Sequence, residues 1–356
     1  MGRALVAMSG GVDSSVAACL LAEQGYDVLG VHMRLVHLGD VDHGCCGPRA
    51  RGDAEAVSRV AGFPFEVVDL TNAFAESVVD DFVEEHRRGR TPNPCARCNG
   101  EIKFGAFLRL ADERGADVVA TGHYVRSERG TDGRWRLRRG LDRAKDQSYM
   151  LHMLGQRALE RARFPVGGLP KTETRRLADA FGLPVAGKPD SQELCFAPAG
   201  DAGRFVRDAA PDLVRPGGEI VDASGAALGE HDGTFAFTVG QRRGLGVAMG
   251  RPQYVHALDA KANRVVVGTD ELLARRALVA DRVSWVAGEP PAIGPFEAAV
   301  RLRYRSESVP AVVDVRGSGM RVELRSAQRA IAPGQSVVVD RGDEVLGGGR
   351  IVETFR

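Results

Sequence analysis

The sequence predicts an α/β protein in three parts: a doubly wound parallel sheet, a small β-rich linker domain, and a C-terminal antiparallel β-barrel. Three observations carry this reading. The first two hundred residues alternate strand-like apolar runs with helical patterns. From about residue 205 the texture turns to short β-like segments between glycines. From about Ala277, strand-like segments recur at short, regular spacing with turn residues between them, as in a small closed barrel. The boundaries expected are 1–205, 206–276 and 277–356.

The elements follow in order. "RALVAM" is a buried strand that runs into glycines, and "DSSVAACLLAEQG" is a helix with a polar start and Gly25 as its stop. "YDVLGVHM" is a second strand, "GDAEAVSRVAG" a helix ending at Gly62, and "FPFEVVDL" a third strand. "NAFAESVVDDFVEEHRRG" and "FGAFLRLADERG" read as helices, "ADVVATGHY" as a strand, and "TETRRLADAFGLP" as a helix stopped by Gly182 and Pro184. Strands separated by helices give a parallel sheet, whose ligands bind at the carboxyl ends of the strands. In the last part, "LVADRVSW", "FEAAVRLRYRS", "VPAVVDVRG", "MRVELRS" and "QSVVVDRGDEVLGGGRIVE" supply the barrel strands.

Composition excludes several classes. With 44% hydrophobic and 27% charged residues the 356-residue chain is globular, and it has no apolar run of ~18 residues to span a bilayer. The first residues read as a buried strand with no cleavage site behind them, so a cytoplasmic location is expected. The net charge is only +1, so affinity for nucleic acid rests on local patches. One candidate patch is "RSERGTDGRWRLRRGLDRAKDQ", Arg126 to Gln147, with eight cations against four carboxylates. The six cysteines, Cys19, Cys45, Cys46, Cys95, Cys98 and Cys195, are too few and too unevenly spaced for a disulfide framework. Cys19 belongs to a buried helix face. Cys45 and Cys46, beside His43, suit a loop more than an accessory metal site.

"MSGGVDSS", Met8 to Ser15, follows the first strand and opens the first helix. Two glycines bare the backbone N–H groups, Ser9 and Ser14 add hydroxyls, and a helix N-terminus adds positive potential, which together make an anion cradle. A plain turn with Asp13 or Ser14 as N-cap is the simpler structural reading. The string has neither the Gly-Lys-Ser/Thr ending of a P-loop nor a third dinucleotide glycine. It resembles the loop of the pyrophosphate-loop ATPases, adenine-nucleotide hydrolase-like enzymes that cleave ATP to AMP and pyrophosphate and adenylate a carbonyl-type oxygen.

"GRTPNPCARCNGEIKFG" from Gly89 resembles one branch of these enzymes, the tRNA-specific 2-thiouridylases. "ATGHY", "LDRAKDQSYML", "FPVGGLPKTETR", "KPDSQELCF", "TVGQRRGLG", "RLRYR" and "PGQSVVV" follow in family order, so the resemblance covers nearly the whole chain. It implies ATP-dependent 2-thiolation of a wobble uridine, with Mg-ATP bound by Ala7, Met8, Ser9, Gly10, Gly11, Val12, Asp13 and Ser14. Met33 would lie near the adenine, Gly122 would close over the nucleotide, and Asp13 would face the magnesium. Lys103 is either a phosphate cation or a solvated lysine. Asn93, Pro94 and Cys95 would lie at the target base, and His123, Lys145, Asp146, Gln147, Arg303, Tyr304 and Gln335 match tRNA-contacting positions. The implied partners are tRNA, with lysine, glutamate and glutamine acceptors, and a sulfur donor such as a cysteine desulfurase or a sulfur-relay protein. Arg301, Arg303 and Arg305 alternate as if on one strand face and would grip the anticodon arm.

The resemblance makes Cys98 the persulfide-bearing nucleophile and Cys195 the thiol that releases the sulfur by forming a disulfide. Many members carry aspartate where this chain has Cys95. Cys95, Cys98 and Cys195 therefore offer a second route, a [4Fe–4S] cluster held by three thiolates with an open iron that carries the sulfide. A thiol is an odd replacement for a carboxylate, which favours the cluster. Two other readings keep parts of the pattern: a pyrophosphate-loop ligase or amidotransferase with an amine nucleophile, and a non-catalytic RNA-binding iron–sulfur protein. The first leaves Cys98 and Cys195 without work, and the second leaves the loop without work.

Overall fold

The computed structural model describes residues 2–36, 47–190, 194–197, 201–247 and 250–356. Its first part is a five-stranded parallel sheet of β1 (Arg3–Ala7), β2 (Asp27–Arg34), β3 (Phe65–Asp69), β4 (Val118–Ala120) and β7 (Ala162–Arg163), in the order β3-β2-β1-β4-β7. The strands are apolar on both faces because helices cover both; β1 reads Ala4, Leu5, Val6 and Ala7, all buried. The order reverses between β1 and β4, so the loops after these two strands diverge and leave a crevice at their carboxyl ends. The loop reading MSGG leaves β1 at that point, and residues 121–124 leave β4 beside it.

Helices form where the pattern places them, and the α2-type segment Pro48–Ala61 ends on Gly62 in the left-handed region at φ +76. Two segments that read as plain helices each contain a π-helical stretch. Ala75–Val79 interrupts the run from Thr71 to Arg87, and Asn99–Ala106 lies between the short helix Pro94–Cys98 and Phe107–Glu113. A π stretch widens the helix by a residue per turn and is frequent at functional sites. No periodicity in the sequence announces it.

The hairpin β5 (Val125–Arg129) and β6 (Trp135–Arg139) lies early in the chain but does not join the first sheet. Four strands, β8 (Gly218–Val221), β9 (Ala227–His231), β10 (Tyr254–Asp259) and β11 (Arg264–Gly268), make the middle sheet in the order β10-β11-β8-β9. The C-terminal strands are β12 (Ala274–Trp285), β13 (Phe296–Arg301), β14 (Val309–Arg316), β15 (Gly319–Arg329), β16 (Ser336–Arg341) and β17 (Glu344–Phe355). Antiparallel pairing runs β12-β15-β14-β13-β16-β17, and β12 pairs β17, so the six strands close into a barrel around Leu278, Val300, Val313, Val322, Val337 and Ile351.

The arginine-rich hairpin pairs through β6 with β17 of the barrel, and four of its arginines are engaged by barrel carboxylates. Arg126 and Arg138 bind Asp343, at 2.7 and 2.6 Å, Arg136 binds Glu344 at 3.2 Å, and Arg139 binds Asp340 at 2.8 Å. Charges that look surplus within one segment meet carboxylates 200 residues away. Arg301, Arg303 and Arg305 do not share a strand face either. β13 ends at Arg301, and Arg305 lies in a turn at φ +62.

Arg301 is buried. Its guanidinium holds both Asp340 oxygens, at 2.7 and 2.9 Å, and its third nitrogen donates to Asp146 Oδ2 at 3.2 Å and Ser148 Oγ at 3.0 Å. Nearby, the barrel segment after β15 is pinned to the approach of the Pro94–Cys98 helix. Thr91 N donates to the Pro333 carbonyl at 2.8 Å, Gln335 donates to the Thr91 carbonyl at 2.7 Å, and a Cβ on Gly334 would sit 2.7 Å from Thr91 backbone. A Cβ on Gly348 would likewise lie 2.5 Å from His152, so barrel and catalytic domain meet at glycines.

Two outcomes are expected. Arg301→Met leaves buried Asp340 with Arg139 as its remaining guanidinium and takes the Arg301 contact from Asp146, and chemical denaturation should register a loss of about 3 kcal/mol. An unchanged midpoint would show that the ion pairs do not hold the barrel. His152 is buried, and burial lowers its imidazole to about 4. It is held neutral in the folded chain, so its contribution is complete above the unfolded value of about 6.5 and is lost as pH falls through that window toward 4. His152→Gln should flatten the stability profile between those two values.

Candidate nucleotide and thiol site

The site begins at the carboxyl end of β1. Ala7 and Met8 are buried, Met8 N donates to the Val31 carbonyl at 2.8 Å, and His32 Nδ1 donates to the Met8 carbonyl at 3.0 Å. Gly10 turns the chain at φ +67, and a Cβ there would stand 2.1 Å from the Ala50 carbonyl oxygen, so only glycine fits. Gly11 is the N-cap of the helix Val12–Glu23, and no side chain caps it. Neither Asp13 nor Ser14 is the N-cap, since both stand inside the first turn. Ser14 Oγ instead receives Ser9 N at 3.3 Å and lies 3.3 Å from Ser9 Oγ. A helix start without a capping side chain keeps amides and dipole available to an anion.

Gly122, on the loop after β4, closes against this turn: a Cβ would lie 2.4 Å from Ser14 N. Met33 is buried in β2, one strand over from β1. Asp13 Oδ1 accepts the Tyr124 hydroxyl at 2.9 Å and Lys171 Nζ at 2.6 Å. Lys171 also meets Asp190 at 2.8 Å, as do Lys145 at 2.9 Å and Arg175 at 3.3 Å. Burial works against the Asp190 carboxylate, but hydrogen bonds from Lys171 and Lys145 outweigh it and hold the group down at about 2. Lys188 Nζ donates to the Gly10 carbonyl at 2.9 Å and to Asp53 at 2.6 Å.

Sequence reasoning missed Lys171, Arg175, Lys188, Asp190 and Tyr124 as members of the site. One signal was present. Lys171 opens a helix, where a cation opposes the macrodipole and an acid is the usual choice.

His123 follows Gly122, and its Nδ1 lies 2.7 Å from Thr121 Oγ1. Burial, and then the charge of Lys103, push its imidazole well below the ordinary value, so it is neutral at physiological pH. Lys103 lies in the π stretch behind Cys98, and its charge reaches His123 at the end of β4. Asn93 caps the Pro94–Cys98 helix through its Oδ1 and Ala96 N at 3.3 Å, with Pro94 at the first position. A cleft between this helix and the barrel is lined by Asn93, Arg97, His152, Ser336 and Arg350.

The thiols divide. Cys98 is buried in the main core cluster, against which Cys195 packs, half-buried. The neighbour of Cys195, Phe196, is wedged among Phe74, Phe82 and Phe205 at centroid distances of 5.8, 5.2 and 4.8 Å. Cys95 is exposed. Among the described residues no group of three or more His, Cys, Asp or Glu side chains is arranged to hold a metal ion. The three thiols expected as ligands are not gathered into such a group: Cys98 is buried in the core while Cys95 is exposed, so as arranged they do not fit a [4Fe–4S] cluster. Cys19 is buried, and burial raises its thiol to about 11, which fits the absence of a role. Cys45, Cys46 and His43 lie outside the described residues.

Of the remaining predicted residues, Asp146, Tyr304 and Gln335 link the first domain to the barrel. Asp146 accepts Gly140 N at 3.0 Å and Ser148 N at 3.1 Å as well as Arg301, and Gln147 Oε1 accepts Tyr124 N at 2.9 Å. Arg303 donates to the carbonyls of Arg329 and Ala330, Tyr304 lies 6.4 Å from Tyr149 with Arg305 over its ring, and Gln335 holds Thr91.

Comparison with known proteins accords with this arrangement. Residues 2–199 match the model of the tRNA methyl transferase HUP domain, 205–269 that family's PRC-barrel domain, and 275–351 the aminomethyltransferase beta-barrel domain. The tRNA-specific 2-thiouridylase MnmA of Geobacter metallireducens is 49% identical, over 98% of this chain and 96% of that one. Those of Acidithiobacillus ferrooxidans and Symbiobacterium thermophilum are 47% and 45% identical, over 99% and 98% of this chain and 99% and 92% of theirs. With the uncapped glycine loop at the sheet's switch point and two thiols on one core, the chain belongs to the tRNA-specific 2-thiouridylase family.

Proposed function

We propose that the protein thiolates C2 of the wobble uridine in tRNA at the expense of ATP. The observation that carries this is the pairing of an uncapped glycine loop with two cysteines that share a core cluster, in a chain with near full-length 2-thiouridylase relatives. Mg-ATP is the substrate of the loop from Ala7 to Ser14, with Met33 toward the adenine and Gly122 against the helix start. The target base unstacks and enters near Asn93 and Pro94, since chemistry on a base requires its removal from the stack. Its O2 bonds to the α-phosphorus as pyrophosphate leaves, and the N3 proton is released to solvent.

Sulfur then replaces oxygen. The terminal sulfur of a Cys98 persulfide attacks C2, and AMP departs with the former O2. The Cys195 thiolate attacks Cys98 Sγ, so a Cys98–Cys195 disulfide forms and the electron pair stays on the base sulfur, with a proton returning to N3. A thiol reductant resets the pair. The persulfide comes from a cysteine desulfurase or a relay protein. Lysine, glutamate and glutamine tRNAs are the proposed acceptors, with His123, Lys145, Asp146, Gln147, Arg303, Tyr304 and Gln335 along the tRNA path. No helix among the described residues is long and apolar enough to cross a membrane, and the proposed setting is the cytoplasm.

Bulk tRNA incubated with the protein, Mg-ATP and a persulfide donor should gain 2-thiouridine, read by nucleoside mass spectrometry. Cys98→Ser and Cys195→Ser should each abolish the product while pyrophosphate formation persists in the first turnover. Multiple-turnover AMP formation retained in both variants, with no 2-thiouridine from the parent, would point to an amine nucleophile instead. Protein purified without oxygen should carry no stoichiometric iron, and Cys95→Ala should thiolate within about threefold of the parent, as surface substitutions do. Iron at cluster stoichiometry that vanishes in Cys95→Ala would restore the cluster route.

A further inference from the structure

We propose that Lys171 is a catalytic residue of the adenylation step: it exchanges Asp13 for the leaving pyrophosphate when Mg-ATP binds, with Asp190 as its positioning residue. This rests on the reading of the loop as an ATP site and names a contact that lies outside the glycine loop itself.

The argument is one of charge. Lys171 is 8% exposed, and its ammonium spans Asp13 at 2.6 Å and Asp190 at 2.8 Å, with the Tyr124 ring 5.7 Å away. Burying an ammonium is costly, and an ion pair alone seldom repays it. The position is also locally unfavourable, because Lys171 begins a helix and opposes its dipole. Neither feature is what fold stability selects.

The surroundings hold more cations than the two carboxylates need. Asp190 alone serves Lys145, Lys171 and Arg175, and Lys188 stands on the Gly10 carbonyl with Asp53 as partner. Asp142 is spent on the backbone amides of Lys171 and Ala144. Asp13 is the carboxylate within the loop's own first helical turn and so the natural ligand for the magnesium of Mg-ATP. Once a divalent cation takes Asp13, the ammonium 2.6 Å from it meets a like charge and loses its acceptor. The phosphate oxygens beyond the magnesium are the replacement. As the bond from the α-phosphorus to the bridging oxygen breaks, the electron pair leaves on pyrophosphate, and Lys171 faces the charge that develops there. Asp190 keeps the ammonium aimed through the exchange.

The test separates pyrophosphate from the rest of the nucleotide. Lys171→Gln keeps a donor for Asp13 and Asp190, and Lys171→Arg keeps the charge; circular dichroism melts check that both fold. Mg-pyrophosphate, Mg-ATP and AMP are titrated calorimetrically into each. Lys171→Gln should bind AMP as the parent does and lose at least about tenfold for Mg-pyrophosphate and Mg-ATP, the weight of a charged hydrogen bond. tRNA-dependent AMP formation should fall about 100-fold, as when one transition-state donor is removed. Lys171→Arg should recover most of the binding. Asp190→Asn should weaken pyrophosphate but not AMP, and Asp190→Glu should restore it, a selectivity that a merely structural role would not produce. Unchanged pyrophosphate binding in Lys171→Gln, or equal losses for AMP and pyrophosphate, overturns the proposal. If the parent forms no 2-thiouridine while pyrophosphate binding still follows Lys171, the thiolation reading falls and this proposal stands.

Discussion

The Arg301 guanidinium, closed on Asp340 and Asp146 in a buried interface, is the contact on which the rest of the arrangement depends. It fastens the barrel to the loop from Gly140 to Ser148, and that loop reaches the nucleotide site through Gln147 and Tyr124. Tyr124 in turn donates to Asp13. A surface glued to the catalytic domain only by exposed ion pairs would be held weakly, since such pairs contribute about 0–1 kcal/mol each. Here Asp340 is fully buried, Arg301 pairs with it within the barrel, and Asp146 and Arg139 reach that pair from the other domain, so the contact is shielded from water.

This attachment serves geometry. Under the proposed mechanism a base is presented to a loop at the carboxyl ends of β1 and β4 and to a thiol on a different element, so a surface that held the tRNA would have to keep its place relative to both. The β5–β6 hairpin, extending the barrel sheet from the catalytic side, and the Gln335–Thr91 contact beside Asn93 supply two further fixed points. Glycines at 334 and 348 let backbone and imidazole approach where any side chain would hold the domains apart.

The chemistry divides along the same lines. The loop after β1 and the lysines around it form a polar, anion-accepting half. Cys98 and Cys195 belong to an apolar half, set against Phe74, Phe82 and Phe196, which under the proposed mechanism would shelter a sulfur carrier from water. Lys103 and neutral His123 lie on the seam. The exposure of Cys95 beside the burial of Cys98 shows how one short helix assigns two neighbouring thiols to different surroundings.

The sequence by itself determined the strand and helix alternation, the barrel, the glycine loop and the cysteine candidates, because each of these is local. Period, turn chemistry and short strings do not depend on distant partners. Tertiary structure decided what depends on charge meeting charge across long separations. The arginines from 126 to 139 look like a nucleic-acid patch until Asp340, Asp343 and Glu344 arrive from the barrel. Arg301 looks exposed until strand closure buries it, and Lys171 and Asp190 look ordinary until the fold sets them on Asp13. The π stretch behind Cys98 was equally hidden, since it follows from packing against neighbouring elements and not from any residue pattern.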